Sequence, residues 1–373
     1  MRCHELVEND IVRGENCYLY DKDGKRYVDF ESGIWCTVVG HRNLRINEKI
    51  KEQLDKVIHL GYRFTNHLAE KAAKILLDTV SEREGKCVFL SSGTEAVEFG
   101  INAAKLLTGR NNLLTFSESY LGAYGSAGMR DDSWIKVDFN SKTLENFRLS
   151  EVAAFILEPG SSSGKVKFPP EEIVQRISKE IKNSGGLIVV DEVTTGVGRT
   201  GEWYGFNHYT LKPDLVAIGK GLGNGYPVSA VAMKREIGKQ LENRRFRYVQ
   251  SHQNDPLGCA IANEVISMIK EKNLVNRSRE SGKKFMNHLE KIKNSFQFVK
   301  EVRGRGLMIG MEFYKLPRNF SVEFIFNQML KRGFIIGFHS EANLIRFMPA
   351  LTIEEKEIEK MVDNLDEVLK KLN

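Results

Sequence analysis

Leu187-Ile-Val-Val-Asp-Glu-Val-Thr-Thr-Gly-Val-Gly-Arg-Thr-Gly201 and, shortly after it, Pro213-Asp-Leu-Val-Ala-Ile-Gly-Lys-Gly-Leu-Gly-Asn-Gly-Tyr-Pro227 carry the reading of this chain. Each contains four apolar residues, 187–190 and 215–218. The first run ends on Asp191-Glu192 and the second on Gly219-Lys220-Gly221. Short apolar runs bounded by turn residues suit strands buried on both faces. In open α/β sheets ligands bind beyond the carboxyl ends of the strands, where both charged groups fall. A charge there is unfavourable unless it is paired or functional. The residues alone leave two readings open. Asp191 and Lys220 form a structural ion pair, or they act on a bound ring. A carboxylate can keep a pyridine nitrogen protonated, and a lysine in a dry site can condense with an aldehyde.

Further apolar runs at 87–90, 113–116, 152–157 and 229–233 alternate with helical patterns. This alternation predicts an α/β fold with a mostly parallel central sheet in a large domain. Upstream, Asn16–Tyr20 and Lys25–Phe30 flank Asp23-Gly24 as a hairpin. Helical periodicity covers Glu48–His59 and Leu68–Val80. From Leu257 a long helical stretch reaches about Phe296. Short strands follow near Val299 and over Met308–Phe313, Phe334–Gly337 and Ile345–Phe347, then a helix over Ile353–Leu372. That layout reads as a smaller α+β domain. The expected division is 1–45 packing with the small domain, 46–256 as the large domain, and 257–373 as the small one.

The 373 residues are 41% hydrophobic and 28% charged, ordinary for a globular protein, with a formal net charge of +6. The densest basic cluster, Arg244, Arg245 and Arg247, is too short for a nucleic-acid arm. Five cysteines without a C-x-x-C pair argue against a disulfide framework and a zinc site, so no metal is expected and a reducing compartment fits. Met1–Asp10 lacks the apolar core of a signal peptide, and no run is long enough to span a bilayer. A cytoplasmic protein without membrane or nucleic-acid partners is expected.

Val88-Phe-Leu-Ser-Ser-Gly-Thr-Glu95 reads as strand, turn and helix start. Ser92 and Glu95 have capping-box spacing, Gly93 permits close backbone approach, and Thr94 adds a hydroxyl. The first N–H groups of such a helix favour an anion. A plain capped helix satisfies the same pattern.

Together these stretches resemble the class III (ornithine, acetylornithine and omega-amino-acid type) aminotransferases. Asp191–Phe206 is similar to that family's D-E-V-Q-T-G-x-G-R-T-G signature. Pro213–Pro227 is similar to its P-D-[IL]-x-x-x-[AG]-K-[GA]-[LI]-G-x-G-x-P. Leu19–His41, Ser92–Ala96, Glu158-Pro159, Arg303–Met308 and Arg346–Pro349 match further family segments, so the resemblance runs along almost the whole chain. It implies pyridoxal 5′-phosphate (PLP) fold type I and amino-group transfer from an amine or amino acid to a 2-oxo acid. That transfer would run through a Lys220 aldimine and a pyridoxamine phosphate intermediate. Asp191 would bond the pyridinium nitrogen. Ser92, Gly93 and Thr94 would bind the phosphate, Tyr120 and Val193 would flank the ring, and Glu158 would support the site. Ser251, in Ser251–Pro256, stands at the Thr of the family's T-F-x-G-N-P. That Thr reaches a neighbouring subunit's phosphate, which implies a homodimer with shared active sites. The same scaffold serves aminomutases, racemases or epimerases and decarboxylases, and a non-catalytic homologue is the reading from another class.

The chain also departs from the pattern. Thr194 replaces the Gln that contacts the cofactor's phenolic oxygen, and Leu121 replaces a His. Ala123 and Tyr124 stand where acetylornithine-type enzymes carry a carboxylate-binding Arg, so two-pronged recognition is lost there. Ser163 stands where ornithine-type enzymes carry a Glu that gates an Arg. Arg346 therefore either binds a substrate carboxylate or pairs with a nearby acid. Trp35 and Tyr62 match regions that wall the pocket in relatives; Trp35 could equally be core.

Overall fold

The computed structural model describes residues 7, 9–139, 148–161, 163–317 and 320–372; Cys3 and most of Met1–Asp10 lie outside them. The apolar runs form one seven-stranded sheet. Its order is Lys86–Leu90, Ser229–Met233, Leu215–Ile218, Leu187–Asp191, Val152–Leu157, Asn112–Phe116, Trp134–Val137. Six strands run in one sense, and Ser229–Met233 is antiparallel to both of its neighbours. Every residue of Val152–Leu157 is buried, as a strand covered on both faces requires. The sequence reading gave no direction for Ser229–Met233 and missed Trp134–Val137, a four-residue strand carrying a lysine.

Two four-stranded sheets accompany the large one. Ile11–Glu15, Tyr18–Asp21 and Arg26–Asp29 are joined by Phe334–Ile335, which pairs parallel to Arg26–Asp29. Val299–Arg305, Met308–Phe313, Leu344–Phe347 and Gly337–His339 form an antiparallel sheet. Phe30 joins the ends of the chain through edge contacts with Phe285 at 6.0 Å and Phe347 at 6.2 Å.

Helix Leu44–Leu54 starts and ends earlier than the expected Glu48–His59, because Asn43 caps it at Ile46 N. Val57 and Ile58 are left exposed. The expected long helix after Leu257 is two helices, Pro256–Glu271 and Leu274–Ser295, broken at Asn273, whose φ is 49°. Gly306, at φ 54°, lies against the backbone of Gly201, and Gly282 lies against Gly306. A Cβ on Gly282 or Gly306 would overlap backbone atoms, which accounts for glycine at these two positions. Among the described residues no helix is long and apolar enough to cross a membrane.

Candidate active site

Five segments reach the same edge of the large sheet. Asp191 closes its strand and stands in register with Ala217 of the neighbouring strand, three residues before Lys220. Lys86–Leu90 runs in the same sense and delivers Ser92 to the start of helix Gly93–Thr108. Glu158 follows Val152–Leu157 directly, and Tyr120 follows Asn112–Phe116 by four residues. Parallel strands place their carboxyl ends together, so residues far apart in sequence meet here.

Lys220 Nζ donates to Thr194 Oγ1 at 2.7 Å and lies 4.3 Å from the centre of the Trp35 ring. Burial lowers its pKa below the ordinary lysine value; Cys36, Glu158 and Asp191 oppose this, and Arg346 reinforces it. A lysine so placed carries a nucleophilic amine. Asp191 is 4% exposed, and its Oδ1 accepts from Val193 N at 2.9 Å. Burial raises its pKa, while the Val193 amide and Lys220 oppose that rise. The adjacent Glu192 has a structural task. It accepts from Thr195 Oγ1 at 2.7 Å, Gly205 N at 2.8 Å and Phe206 N at 2.7 Å, and burial raises its pKa to about 7.

The helix start has the expected capping box: Ser92 Oγ accepts from Glu95 N at 3.3 Å and Glu95 Oε2 accepts from Ser92 N at 2.8 Å. Val193 packs on Gly93, where a Cβ would collide with its methyls, and on Gly219. Gly93 therefore lets the helix start approach the Asp191 and Lys220 strand ends. Thr94 Oγ1 accepts from Ala123 N at 3.2 Å. Tyr124 Oη and Ser92 Oγ share a 3.0 Å hydrogen bond. Tyr120 is about half exposed, and its backbone N–H donates to the buried Glu158 carboxylate at 3.0 Å. Ser163 pairs with Ser161 at 2.6 Å; the following Gly164 has no room for a Cβ beside Arg346 Nη1. Ser251 is exposed, in the loop before helix Pro256–Glu271.

The wall over Lys220 holds the main residue that the sequence reading missed. Arg346 is bound by Glu31: Nε donates to Oε1 and Oε2 at 3.2 Å each, Nη2 donates to Oε2 at 2.8 Å, and Nη1 donates to the Phe338 carbonyl at 3.0 Å. Of the two readings for Arg346, pairing with an acid is the arrangement found. Burial raises the Glu31 pKa and Arg346 offsets part of that rise. Trp35 is buried, with Lys220 and the Arg346 guanidinium 4.3 and 5.1 Å from its ring centre. Glu31 lies in Asp-Phe-Glu-Ser-Gly, just beyond a buried strand. An acid in that position was the available signal.

Trp35 is held by an unusual backbone. Ser32, Gly33, Ile34 and Trp35 have φ of 40°, 59°, 57° and 69°, one left-handed turn. Non-glycine residues disfavour this region by roughly 1–2 kcal/mol each. Asp29 opposes that tendency by accepting from Glu31 N at 2.8 Å, Gly33 N at 3.1 Å and His41 Nε2 at 2.8 Å. Ser32 Oγ donates to the Met348 carbonyl. The buried Arg199 donates to Ser32 Oγ at 3.2 Å, to the Leu307 carbonyl at 3.1 Å and to the Pro349 carbonyl.

Comparisons with known proteins agree with this geometry. A solved S-selective transaminase from an Arthrobacter species has a TM-score of 0.91 and 27% identity, covering 99% of this chain and 94% of its own. The fold is that of the PLP fold type I transaminases. The Aminotransferase class-III family model matches residues 2–129 and 126–369. A [LysW]-aminoadipate semialdehyde/glutamate semialdehyde transaminase of Sulfolobus acidocaldarius is 30% identical over 97% of this chain and 95% of its own. An acetylornithine aminotransferase of Archaeoglobus fulgidus is 33% identical over 95% of this chain and 93% of its own. The chain belongs to the class III aminotransferases and is an enzyme of that type. Membership implies PLP as the cofactor.

Proposed function

We propose that PLP binds between Lys220, Asp191 and the start of helix Gly93–Thr108, and that amino groups are exchanged there. The supporting observation is a partly buried lysine of lowered pKa and a buried carboxylate of raised pKa, both beyond the ends of adjacent parallel strands. A cationic ring nitrogen would compensate the buried Asp191 charge. Ser92, Gly93 and Thr94 would take the phosphate, and Val193 and Tyr120 the two ring faces. Thr194 and Glu158 would hold the ring edge. When bound, the cofactor supplies an electrophilic aldehyde and an electron sink. Lys220 Nζ takes the proton from the amine-bearing carbon of the substrate and returns it. Asp191 holds the proton on the ring nitrogen, and Trp35 keeps water from Lys220.

Trp35, Tyr124, Ser163 and Arg346 would line the substrate side. Relatives named for aminoadipate or glutamate semialdehyde support an amino-acid-derived amine and its aldehyde as the substrate class. Ala123, in place of arginine, argues against acetylornithine. Ser251 would meet the phosphate of a neighbouring subunit in a homodimer. Exposed Leu54, Val57, Ile58, Tyr62 and Phe64 support such an interface. Cysteines without close pairing support a cytoplasmic location.

The test is spectral. Amines and amino acids are added to the PLP-loaded protein, followed by a 2-oxo acid. Donors should bleach the visible band and the 2-oxo acid should restore it. A band that no 2-oxo acid restores would rule out transfer and leave an isomerase or decarboxylase.

Arg346 can take an acid substrate only by exchanging its bond to Glu31. Glu31→Gln is expected to lower the KM for the 2-oxo acid about 10-fold, since about 1.4 kcal/mol of competition is removed, and to leave the KM for a neutral amine donor within about 2-fold. Steady-state kinetics on both substrates checks this. A KM for the 2-oxo acid that stays the same or rises would remove Arg346 as its receptor.

A further inference from the structure

His59, His252 and Asp255 meet away from Lys220. His59 Nδ1 lies 2.7 Å from Asp255 Oδ1, and His252 Nδ1 lies 2.5 Å from Asp255 Oδ2. The imidazole rings are 4.6 Å apart and tilted by 50°, so two ring nitrogens converge on one carboxylate. One donor atom from each of the three residues lies within 4.8 Å of the others. We propose that these side chains bind a divalent transition-metal cation of the zinc type.

Two of the three residues depart from the family pattern quoted above. In Ser251–Pro256 the family pattern T-F-x-G-N-P has Phe and Asn where His252 and Asp255 stand. Both changes replace a residue that does not ordinarily ligate metal with one that does. The third ligand, His59, comes from a segment far away in sequence.

The framework behind Asp255 is fixed. Asn254 donates its N–H to the Phe89 carbonyl at 3.0 Å, its Oδ1 accepts from Phe89 N at 2.8 Å, and its carbonyl accepts from Asn66 Nδ2 at 2.9 Å. Asp255 itself directly precedes helix Pro256–Glu271. Its side chain is 11% exposed, whereas those of His59 and His252 are 47% and 61% exposed. The carboxylate is therefore positioned in advance, and the two rings are the more exposed members of the cluster. Zinc bonds to nitrogen and oxygen of about 2.0–2.2 Å set tetrahedral donors roughly 3.4 Å apart. Each imidazole nitrogen would stand about 0.7–0.9 Å farther from the carboxylate oxygen it now bonds, at 2.7 or 2.5 Å, to admit the ion. Two imidazoles and one carboxylate suit zinc or cobalt rather than magnesium or calcium, which prefer all-oxygen sets. Solvent can supply the fourth ligand. The ion would tie the His59 segment to the loop that carries Ser251.

The experiment uses the full-length, PLP-loaded protein without an affinity tag, stripped of metal by a chelator and dialysed. Zn2+ is titrated calorimetrically, and Co2+ is followed through its visible d–d absorption. One ion per chain is expected, with loss of that saturable binding in His252→Phe and Asp255→Asn and the cofactor band unchanged. Asp255→Asn could weaken the helix start, so His59→Ala, at an exposed position, provides an independent variant. Wild-type protein that takes up no zinc has only a hydrogen-bonded His–Asp–His cluster. Uptake that persists in His252→Phe and His59→Ala comes from elsewhere. Either result overturns the proposal.

Discussion

Lys220→Ala is expected to remove the visible absorbance of the PLP-loaded protein and to lower turnover by roughly 10^4-fold or more, the upper range for loss of a positioned acid–base group. The reason lies in the surroundings. Thr194 and Trp35 hold Nζ in place, and burial lowers the pKa of the amine. Arg346, also beside Trp35, cannot act as a base, because a guanidinium does not lose its proton in proteins. The absorption spectrum and single-turnover rates of the purified variant check this. A variant that kept both the band and the rate would remove Lys220 from the chemistry.

Asp191→Ala should separate binding from turnover. The band is expected to survive, because Lys220 and the Ser92–Thr94 helix start remain. Turnover should fall roughly 10^3-fold, as when a preorganised electrostatic contact is lost. A second readout does not depend on activity. Burial raises the Asp191 pKa in the folded chain above its unfolded value. Its stabilising contribution is therefore complete below the unfolded value, near about 4, and is lost as pH rises through the folded value. The cofactor-free protein should lose stability from this group between roughly pH 4 and 7, by at most about 1.4 kcal/mol per pH unit. In Asp191→Asn that slope should flatten, as measured by urea unfolding at several pH values. Equal slopes would mean that Asp191 is already compensated by a partner in the chain.

The large sheet was legible because its strands are buried on both faces, so unbroken apolar runs such as 152–157 and 187–190 had little other reading. A charge just after such a run stands out, as at Asp191 and, one glycine further on, Lys220, but the residues alone left an ion pair and a ring-binding pair equally open, and only the family resemblance separated them. Trp134–Val137 escaped because a short strand at the sheet edge need not be apolar throughout. The break at Asn273 escaped because one left-handed residue can divide two helices without a proline or glycine to mark it. Glu31 is the more instructive omission. The ornithine-type pattern drew attention to Ser163, where an acid was missing, whereas the partner of Arg346 comes from a segment 315 residues earlier in the chain. Sequence spacing carries no information about a pairing closed by the tertiary fold.

The left-handed turn at Ser32–Trp35 has a consequence for how the protein is made. Its hydroxyl anchor at Met348 is 316 residues downstream, and Arg199 reaches Pro349. Bringing such distant segments together is entropically unfavourable and must await the late strands. During synthesis the indole can settle over the lysine only after nearly the whole polypeptide has emerged. A chain terminated before Met348 would retain Lys220 and Asp191 yet leave the lysine without its indole cover, open to bulk water.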